Sequence, residues 1–186
     1  MNVHFRGIDL PSESETLVTW LCAETWPFHS NSVLTVERVR EWIASGLFGG
    51  TNHRAFWIFR GSDERVGLIR LFDLDDIPDG TPMFDLRLRG SARGLGVGSQ
   101  AVRWLTSYCF ETWPELHRIE ANTRADNIGM RRVFTKCLYS KEAHVRKAWR
   151  SANGDRFDTI YYGILREDWL SGRITPVNWN DEPNPV

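Results

Sequence analysis

Cysteine is scarce in this 186-residue chain, which contains only Cys22, Cys109 and Cys137. An odd number at such wide spacings forms neither a disulfide framework nor a metal-binding knuckle. Each cysteine lies among apolar neighbours, so we expect buried, reduced thiols. Reduced thiols in turn favour a cytoplasmic location.

The sequence also lacks a block of basic residues and a long apolar run. Its formal net charge is -1, so it does not indicate the basic face that a nucleic-acid partner requires. No stretch is apolar for long enough to cross a membrane, and the N-terminal residues lack the apolar core of a signal peptide. We therefore expect neither a nucleic acid nor a membrane as partner.

Patterns for hydrolytic and metal chemistry are missing as well. There is no Ser-His-Asp order typical of a hydrolase and no His-x-x-x-His pair typical of a zinc site. The sequence therefore predicts no metal ion.

Hydrophobic periodicity predicts one α+β domain, residues 1–171, followed by an irregular tail, residues 172–186. The predicted order is a strand, two helices, three strands, a helix, a strand, a helix and two strands, which is typical of a mixed sheet packed against helices. Ser12 and Glu15 have the spacing of a capping box, which predicts the start of the first helix.

A glycine-rich segment, residues 90–98, lies between the predicted fourth strand and the third helix. In it Gly94, Gly96 and Gly98 alternate with larger residues, which allows positive φ angles and a close approach of the backbone to a ligand. The helix that follows adds unpaired N–H groups and the positive end of its dipole, so the turn is suited to bind phosphate oxygens. Arg93 adds a positive charge.

Three other interpretations of this segment are open. The glycines are also compatible with a flexible connection between strand and helix. A dinucleotide-binding loop requires Gly-x-Gly-x-x-Gly in a βαβ unit, whereas the spacing here is Gly-x-Gly-x-Gly after antiparallel strands. A P-loop requires Gly-Lys followed by Ser or Thr, which this segment lacks. Both nucleotide-binding alternatives are therefore weaker.

The run from Arg93 to Gly98 resembles the Arg/Gln-x-x-Gly-x-Gly/Ala motif with which GNAT acetyltransferases bind the pyrophosphate of acetyl-CoA. Residues 117–127 and 142–169 resemble the RimJ/RimL-like branch of protein N-acetyltransferases. The resemblance covers roughly Val66 to Trp169. It implies a mixed, mostly antiparallel central sheet of about seven strands with helices on both faces.

The resemblance also assigns roles to individual residues, with acetyl-CoA as co-substrate. Backbone groups around Leu86 and Leu88 would bind the pantetheine arm, with an N–H near Leu88 directed at the thioester oxygen. Asn127 would contact the pantetheine from the next helix. The pyrophosphate would be bound by the glycine-rich segment, namely Arg93, Gly94, Leu95, Gly96, Val97, Gly98 and Ser99.

Two positions depart from the family pattern. Met130 stands where the branch usually has a small Ser or Ala, and Phe134 where many GNAT enzymes have a tyrosine that donates a proton. A thiol with a pKa of about 8.5 is a tolerable leaving group even as a thiolate. Tyr139 is near in sequence and is a candidate replacement for the missing donor.

Transfer to an amine requires a proton acceptor, for which a carboxylate or a water that it orders is expected. Glu120, on the strand after the glycine-rich helix, is the first candidate base; its alternative role is an ion pair with a neighbouring arginine. Asp85, on the strand before the glycine-rich segment, is the second; its alternative role is an ion pair with Arg87 or Arg70. Asp73 is the third.

The sequence thus predicts direct transfer of an acetyl group from acetyl-CoA to a primary amine in a ternary complex. The branch suggests a protein N-terminal α-amine as acceptor, and a small-molecule amine is the other candidate. Trp57 and Trp149 are predicted on strands that line the acceptor cleft, as stacking residues or as core.

Alternative functions are a non-catalytic CoA-binding or interaction domain and a nucleotide-phosphate-binding module. A homodimer, through an exposed final strand or the tail around Trp179, is left open.

Overall fold

The structure, a computed structural model, describes residues 2–180. Seven strands and five helices follow one another in nearly the predicted order, with one turn of 3-10 helix (Gly90–Ala92) before the third helix. The elements are β1 (Val3–Gly7), α1 (Leu10–Cys22), α2 (Val36–Ala44), β2 (Arg54–Arg60), β3 (Glu64–Phe72), β4 (Met83–Leu88), α3 (Val97–Thr112), β5 (Arg118–Arg124), α4 (Ile128–Lys136), β6 (Ser140–Arg150), β7 (Arg156–Leu165) and α5 (Arg166–Ser171). Residues 172–180 contain no helix or strand.

All seven strands form one sheet in the order β1-β2-β3-β4-β5-β7-β6. Every neighbouring pair is antiparallel except β4 and β5, which are parallel and pair only at Met83 and Glu120. Beyond that point the two strands separate, so the backbone groups at the end of β4 have no partner strand on the β5 side. This separation opens the centre of the sheet to a ligand.

Helices cover both faces of the sheet, because side chains on each strand alternate between two cores. Trp57 and Phe59 of β2 pack with Leu17 and Leu21 of α1 on one face. Phe56 and Ile58 of the same strand belong to the opposite core, which includes the buried side of α3 and Phe134 of α4. The predicted α+β fold, with a mostly antiparallel seven-stranded sheet and helices on both faces, is confirmed.

The predicted start of α1 is wrong. The helix begins at Leu10, so Ser12 lies inside the first turn and does not cap it. Asp9 occupies the N-cap position, and its backbone N–H donates to the carboxylate of Glu13 at 3.0 Å. Glu13 therefore has the role in the first turn that the spacing assigned to Glu15.

Glu13 has this role because tertiary contacts hold its carboxylate beside β1 and β3. Arg6 donates to both of its oxygens at 2.7 and 2.9 Å, and Arg65 donates to one of them at 3.2 Å. The hydrogen bond from Arg6 lowers the pKa of Glu13 from 4.5 to about 2. The start of α1 is thus tied to two strands of the sheet.

The three cysteines are free thiols, and two of them are buried as expected. Burial raises the pKa of Cys109 and of Cys137. Cys22, at the end of α1, is only partly buried. Within residues 2–180, no helix has the length and apolar character needed to span a membrane.

Candidate active site

The glycine-rich segment folds into a tight turn that leads directly into α3. Gly94 and Gly96 have φ angles of 75° and 81°, a region that residues with a side chain seldom enter. Gly96 is the N-cap of α3 and offers no side chain to the first turn, whose first intrahelical bond runs from the Gln100 N–H to the Gly96 carbonyl at 3.2 Å. The N–H groups before it have no intrahelical partner and are available to an anion.

Two cavities meet beside this turn. The first, which we call the donor groove, has a volume of about 400 Å³ and lies between the end of β4, the glycine-rich turn and α4. Its wall includes eight of the predicted cofactor-binding residues, namely Leu86, Leu88, Arg93, Gly94, Gly96, Gly98, Ser99 and Asn127. Leu95 is exposed and the side chain of Val97 is buried in the core, so neither side chain lines the groove.

Gly98 allows α3 to pack closely against α4 and β4. A Cβ atom at this position would lie 3.3 Å from Cγ2 of Val133 in α4 and 3.5 Å from Cδ1 of Leu88 in β4. Arg93 fixes the turn to the same strand, because its Nε donates to the Leu88 carbonyl at 3.0 Å. The groove floor is therefore formed where α3, α4 and β4 meet.

The second cavity, which we call the acceptor pocket, has a volume of about 300 Å³ and lies at the gap between β4 and β5, where it is lined from one side by α2 and the segment before it and from the other side by α4. Aromatic side chains form much of its wall: Phe28, Trp42, Phe48, Phe72, Phe84, Phe134 and Trp149. Trp149 is thus at the cleft, whereas Trp57 is completely buried in the core. The pocket shares six residues with the donor groove: Phe28, His29, Leu86, Arg87, Asn127 and Met130.

Asn127 lies on this shared wall and is the N-cap of α4. Its Oδ1 accepts from the Met130 N–H at 3.2 Å, and its Nδ2 donates to Oγ1 of Thr123 on β5 at 3.0 Å. The amide is therefore held in one orientation at the junction of the two cavities.

Asp85 lies in the acceptor pocket and is engaged by basic groups on several sides. Its Oδ1 is 2.7 Å from Nε2 of His29, and its Oδ2 accepts from Nε of Arg87 at 3.2 Å. Burial by itself would raise the pKa of Asp85, but the charges of Arg87, His29 and Arg70 outweigh it and hold that pKa far below its usual value. A carboxylate so stabilised as the anion is a poor base at neutral pH.

His29 lies on the shared wall and was not predicted from the sequence. Its Nδ1 is buried and has no hydrogen-bond partner among the described residues, while Nε2 faces Asp85. The residue lies in the irregular segment between α1 and α2, outside every motif. The only local signal is its position after the aromatic run that begins at Trp26, and its partner is 56 positions away.

Glu120 is not brought to the wall of either cavity. Its carboxylate is 2.6 Å from Nη2 of Arg118, which also lies 2.7 Å from Glu142. Asn122, two residues further along β5, does line the acceptor pocket. Glu120 thus lies on the same strand as a pocket residue, but its carboxylate belongs to an ion-pair cluster outside the acceptor pocket.

The two positions that depart from the family pattern, Met130 and Phe134, both line the acceptor pocket. The expectation that Tyr139 replaces the missing proton donor is wrong. Its hydroxyl is buried 3.0 Å from Oγ1 of Thr106, and burial raises its pKa. Tyr139 lines neither cavity, so it has no route to a leaving group.

A parallel pair of strands that separates beside a glycine-rich helix start, with two cavities meeting at the gap, defines a class of protein that brings two ligands together, as acyltransferases do. The comparison with known proteins identifies the family. A family model described as the acetyltransferase (GNAT) domain matches residues 4–139. The chain therefore belongs to the GNAT acetyltransferase family.

Curated relatives agree with this assignment. The probable N-acetyltransferase YjcK of Bacillus subtilis is 36% identical over 114 residues, which is 61% of this chain and 62% of that protein. The uncharacterized N-acetyltransferase YnaD of the same organism is 34% identical over 74 residues, which is 40% of this chain and 42% of that protein. The matched stretch thus spans less than two thirds of either relative.

Solved structures show the same fold. A spermidine N-acetyltransferase from Vibrio cholerae in complex with CoA and spermine has a TM-score of 0.73 at 16% identity, covering 90% of this chain and 98% of that one. The structure of a probable acetyltransferase has a TM-score of 0.71 at 20% identity, and the match covers 90% of this chain and 94% of that one. The predicted GNAT family is confirmed by the family model, whereas the RimJ/RimL-like branch stays a prediction.

Proposed function

We propose that this chain transfers an acetyl group from acetyl-CoA, bound in the donor groove, directly to an amine bound in the acceptor pocket. The observation that carries the proposal is the wall that both cavities share at the end of β4. An amine in the pocket and a thioester in the groove would meet there without a covalent enzyme intermediate. Family membership and the N-acetyltransferase relatives support the same reaction.

The donor would be held mainly by backbone groups. The free N–H groups at the start of α3 suit the pyrophosphate, with Arg93 beside them. The unpaired edge of β4 from Leu86 to Leu88 suits the pantetheine arm, and an N–H there would stabilise the charge that develops on the thioester oxygen. Asn127, fixed by its two hydrogen bonds, would contact the pantetheine from α4.

Proton transfer would run through His29, positioned by Asp85. If Nε2 carries the proton that faces Asp85, the buried Nδ1 has a lone pair for the acceptor amine. The amine nitrogen then bonds to the acetyl carbon, the C–S bond breaks, CoA leaves as a thiolate, and the amine proton goes to His29. Glu120 is the alternative base, and it would act through an ordered water because it lies outside both cavities.

The acceptor is proposed to be a primary amine. The likeness to RimJ/RimL-type sequences supports a protein N-terminal α-amine, and the compact aromatic pocket supports a small-molecule amine. Polyamines are a further candidate through the Vibrio cholerae structure with spermine.

The first test is thermal unfolding of the purified chain with acetyl-CoA, CoA, ATP and NAD. A ligand at about a hundred times its Kd stabilises the fold by roughly 2.7 kcal/mol, which is a shift of several degrees. We expect a shift with acetyl-CoA and CoA alone. A shift with ATP or NAD alone would refute the donor groove and favour the nucleotide-binding alternative, while CoA binding without turnover of any amine would favour a non-catalytic domain.

The second test compares two histidines that each pair with an aspartate. His29→Gln should lower kcat much more than it changes the KM for acetyl-CoA, because it removes the proton acceptor, while the glycine-rich turn and β4 that would bind the cofactor are unaltered. His144→Gln is the matched control, since Nε2 of His144 lies 2.8 Å from Asp158 at an exposed site on β6. Equal effects of the two substitutions would contradict the role of His29.

A further inference from the structure

The charges in the acceptor pocket do not balance. Two arginines, Arg70 and Arg87, line it against a single carboxylate, Asp85. That carboxylate is already engaged by Arg87 and His29. With His29 neutral the pocket therefore has an excess of one positive charge before an acceptor enters.

Arg70 is the arginine left without a counter-ion. It lies opposite Asp85 in the register of β3 and β4, yet it forms no ion pair within residues 2–180. Its guanidinium stacks 4.6 Å from the ring of Phe72 and has one long hydrogen bond, 3.5 Å, to the Leu47 carbonyl. Burial and the charge of Arg87 lower the pKa of Arg70, and the charges of Asp85 and Asp73 offset only part of this effect. An anionic ligand beside it would offset the remaining cost of burying this cation.

Two further donors in the pocket wall are unsatisfied. Nη1 of Arg87 and Nε1 of Trp149 are buried and find no acceptor in the part of the chain that the structure describes. Buried donors without partners also occur away from the cavities, as at Nε1 of Trp57, so these two support a ligand through their place in the same wall as Arg70. Here the missing partner is an acceptor of several hydrogen bonds, for which a carboxylate has four lone-pair positions.

We propose that the acceptor is a small primary amine that itself carries a carboxylate, namely an α-amino acid with an aromatic or large apolar side chain. The carboxylate pairs with Arg70 and the free N–H of Arg87, the amine faces His29 on the shared wall, and the side chain packs among the pocket's aromatic rings. A polyamine brings positive charge to a wall that already has too much of it. The inference rests on the proposed function and names its substrate class.

The test uses pairs of amines that differ only in the carboxylate. L-tryptophan is compared with tryptamine and L-phenylalanine with 2-phenylethylamine, together with spermidine and a short peptide with a free N-terminus, by the rate of CoA thiol release. We expect kcat/KM to be about 10- to 100-fold higher for each amino acid than for its decarboxylated partner, as charged hydrogen bonds predict. Spermidine should be the poorest acceptor.

In Arg70→Gln, kcat/KM for the amino acid should fall close to that for its decarboxylated partner. The KM of the amino acid should rise while the KM of acetyl-CoA stays unchanged. Arg70→Lys should restore part of the preference, because it keeps the charge and loses the planar fork. The control is Arg38→Gln, an exposed residue of α2 paired with Glu41. In the unmodified protein, indole-3-propionate keeps the carboxylate without the amine and should inhibit in competition with L-tryptophan.

Preference for tryptamine, spermidine or the peptide would overturn the inference and leave acetyl transfer standing. Absence of acetylation with every amine would overturn both proposals. Lack of inhibition by indole-3-propionate would overturn the carboxylate site even if Arg70 variants fail to fold.

Discussion

Replacing Asp85 with asparagine tests both the stability and the chemistry of the site. Asp85→Asn keeps the shape of the side chain and removes its charge. Arg87, whose side chain is only 8% exposed, then has no counter-ion, and His29 no longer has a carboxylate to orient it. Glu120→Gln is the matched comparison, because it neutralises the other candidate base at an ion pair whose side chains are 33% and 32% exposed.

The expected magnitudes differ widely. Removing one partner of a buried ion pair costs about 3–5 kcal/mol, and the 22% exposure of the Asp85 side chain reduces this to roughly 2–4 kcal/mol. At about 2–4 °C per kcal/mol for a chain of this length, the Tm should fall by roughly 5–15 °C. Glu120→Gln should cost no more than about 1 kcal/mol, as is usual for a partly exposed pair.

The pH dependence has a definite sign. The pKa of Asp85 is held below its ordinary value of 3.8, so the carboxylate stabilises the fold above that pH. This contribution is lost as the pH falls below 3.8 toward the folded-state pKa. The difference in the free energy of unfolding between the original chain and Asp85→Asn should therefore be constant between about pH 5 and 7 and shrink below about pH 4.

The assay is urea unfolding from pH 7 down to pH 3.5, together with kcat for the best acceptor. Loss of the oriented histidine should lower kcat by roughly 100-fold in Asp85→Asn. Glu120→Gln should have the smaller effect on both measurements. If Glu120→Gln lowers kcat more than Asp85→Asn does, the assignment of the proton acceptor to His29 and Asp85 is refuted.

Three further predictions concern other parts of the fold. Glu13→Gln should lower the free energy of unfolding at pH 7 by roughly 1–2 kcal/mol, a modest value because solvent around the exposed Arg6 screens the ion pair. The difference should vanish below about pH 2, where Glu13 is protonated, so urea unfolding there should give the same free energy for both forms. Gly96→Ala places a side chain at a φ of 81° and should cost about 1–2 kcal/mol and weaken CoA binding by calorimetry; an unchanged Kd would contradict the role of this turn. Tyr139→Phe should cost about 1 kcal/mol through the lost bond to Thr106 and leave kcat unchanged, and a large fall in kcat would return Tyr139 to the mechanism.

Local sequence signals predicted most of the fold. The continuous apolar run of β2, the alternation of apolar and polar residues in β4 and the helical periodicity of α3 and α4 follow from short-range chemistry. The spacing of Gly94, Gly96 and Gly98 likewise indicated a turn with positive φ before a helix, and Gly94 and Gly96 have that conformation. The family resemblance then predicted how these elements assemble into one seven-stranded sheet with helices on both faces, which no local pattern contains.

The start of α1 shows where local reasoning fails. Ser12 and Glu15 have the spacing of a cap, yet Glu13 is drawn to Arg6 and Arg65 on two strands of the sheet. Charged hydrogen bonds to a mostly buried carboxylate outweigh a cap on an exposed turn, which contributes about 1 kcal/mol.

The sequence by itself determined the order of the elements and the anion-binding turn, because a glycine-rich turn, a helix dipole and an alternating strand act over a few neighbouring residues, and its resemblance to GNAT motifs indicated the family. Only the tertiary structure decided which groups meet at the candidate active site. His29 and Asp85 are joined across 56 positions, and Arg70 is left without a counter-ion because two other basic groups occupy the same carboxylate. Such pairings depend on which strands separate and which loop covers the gap, and they are set by the packing of the whole sheet.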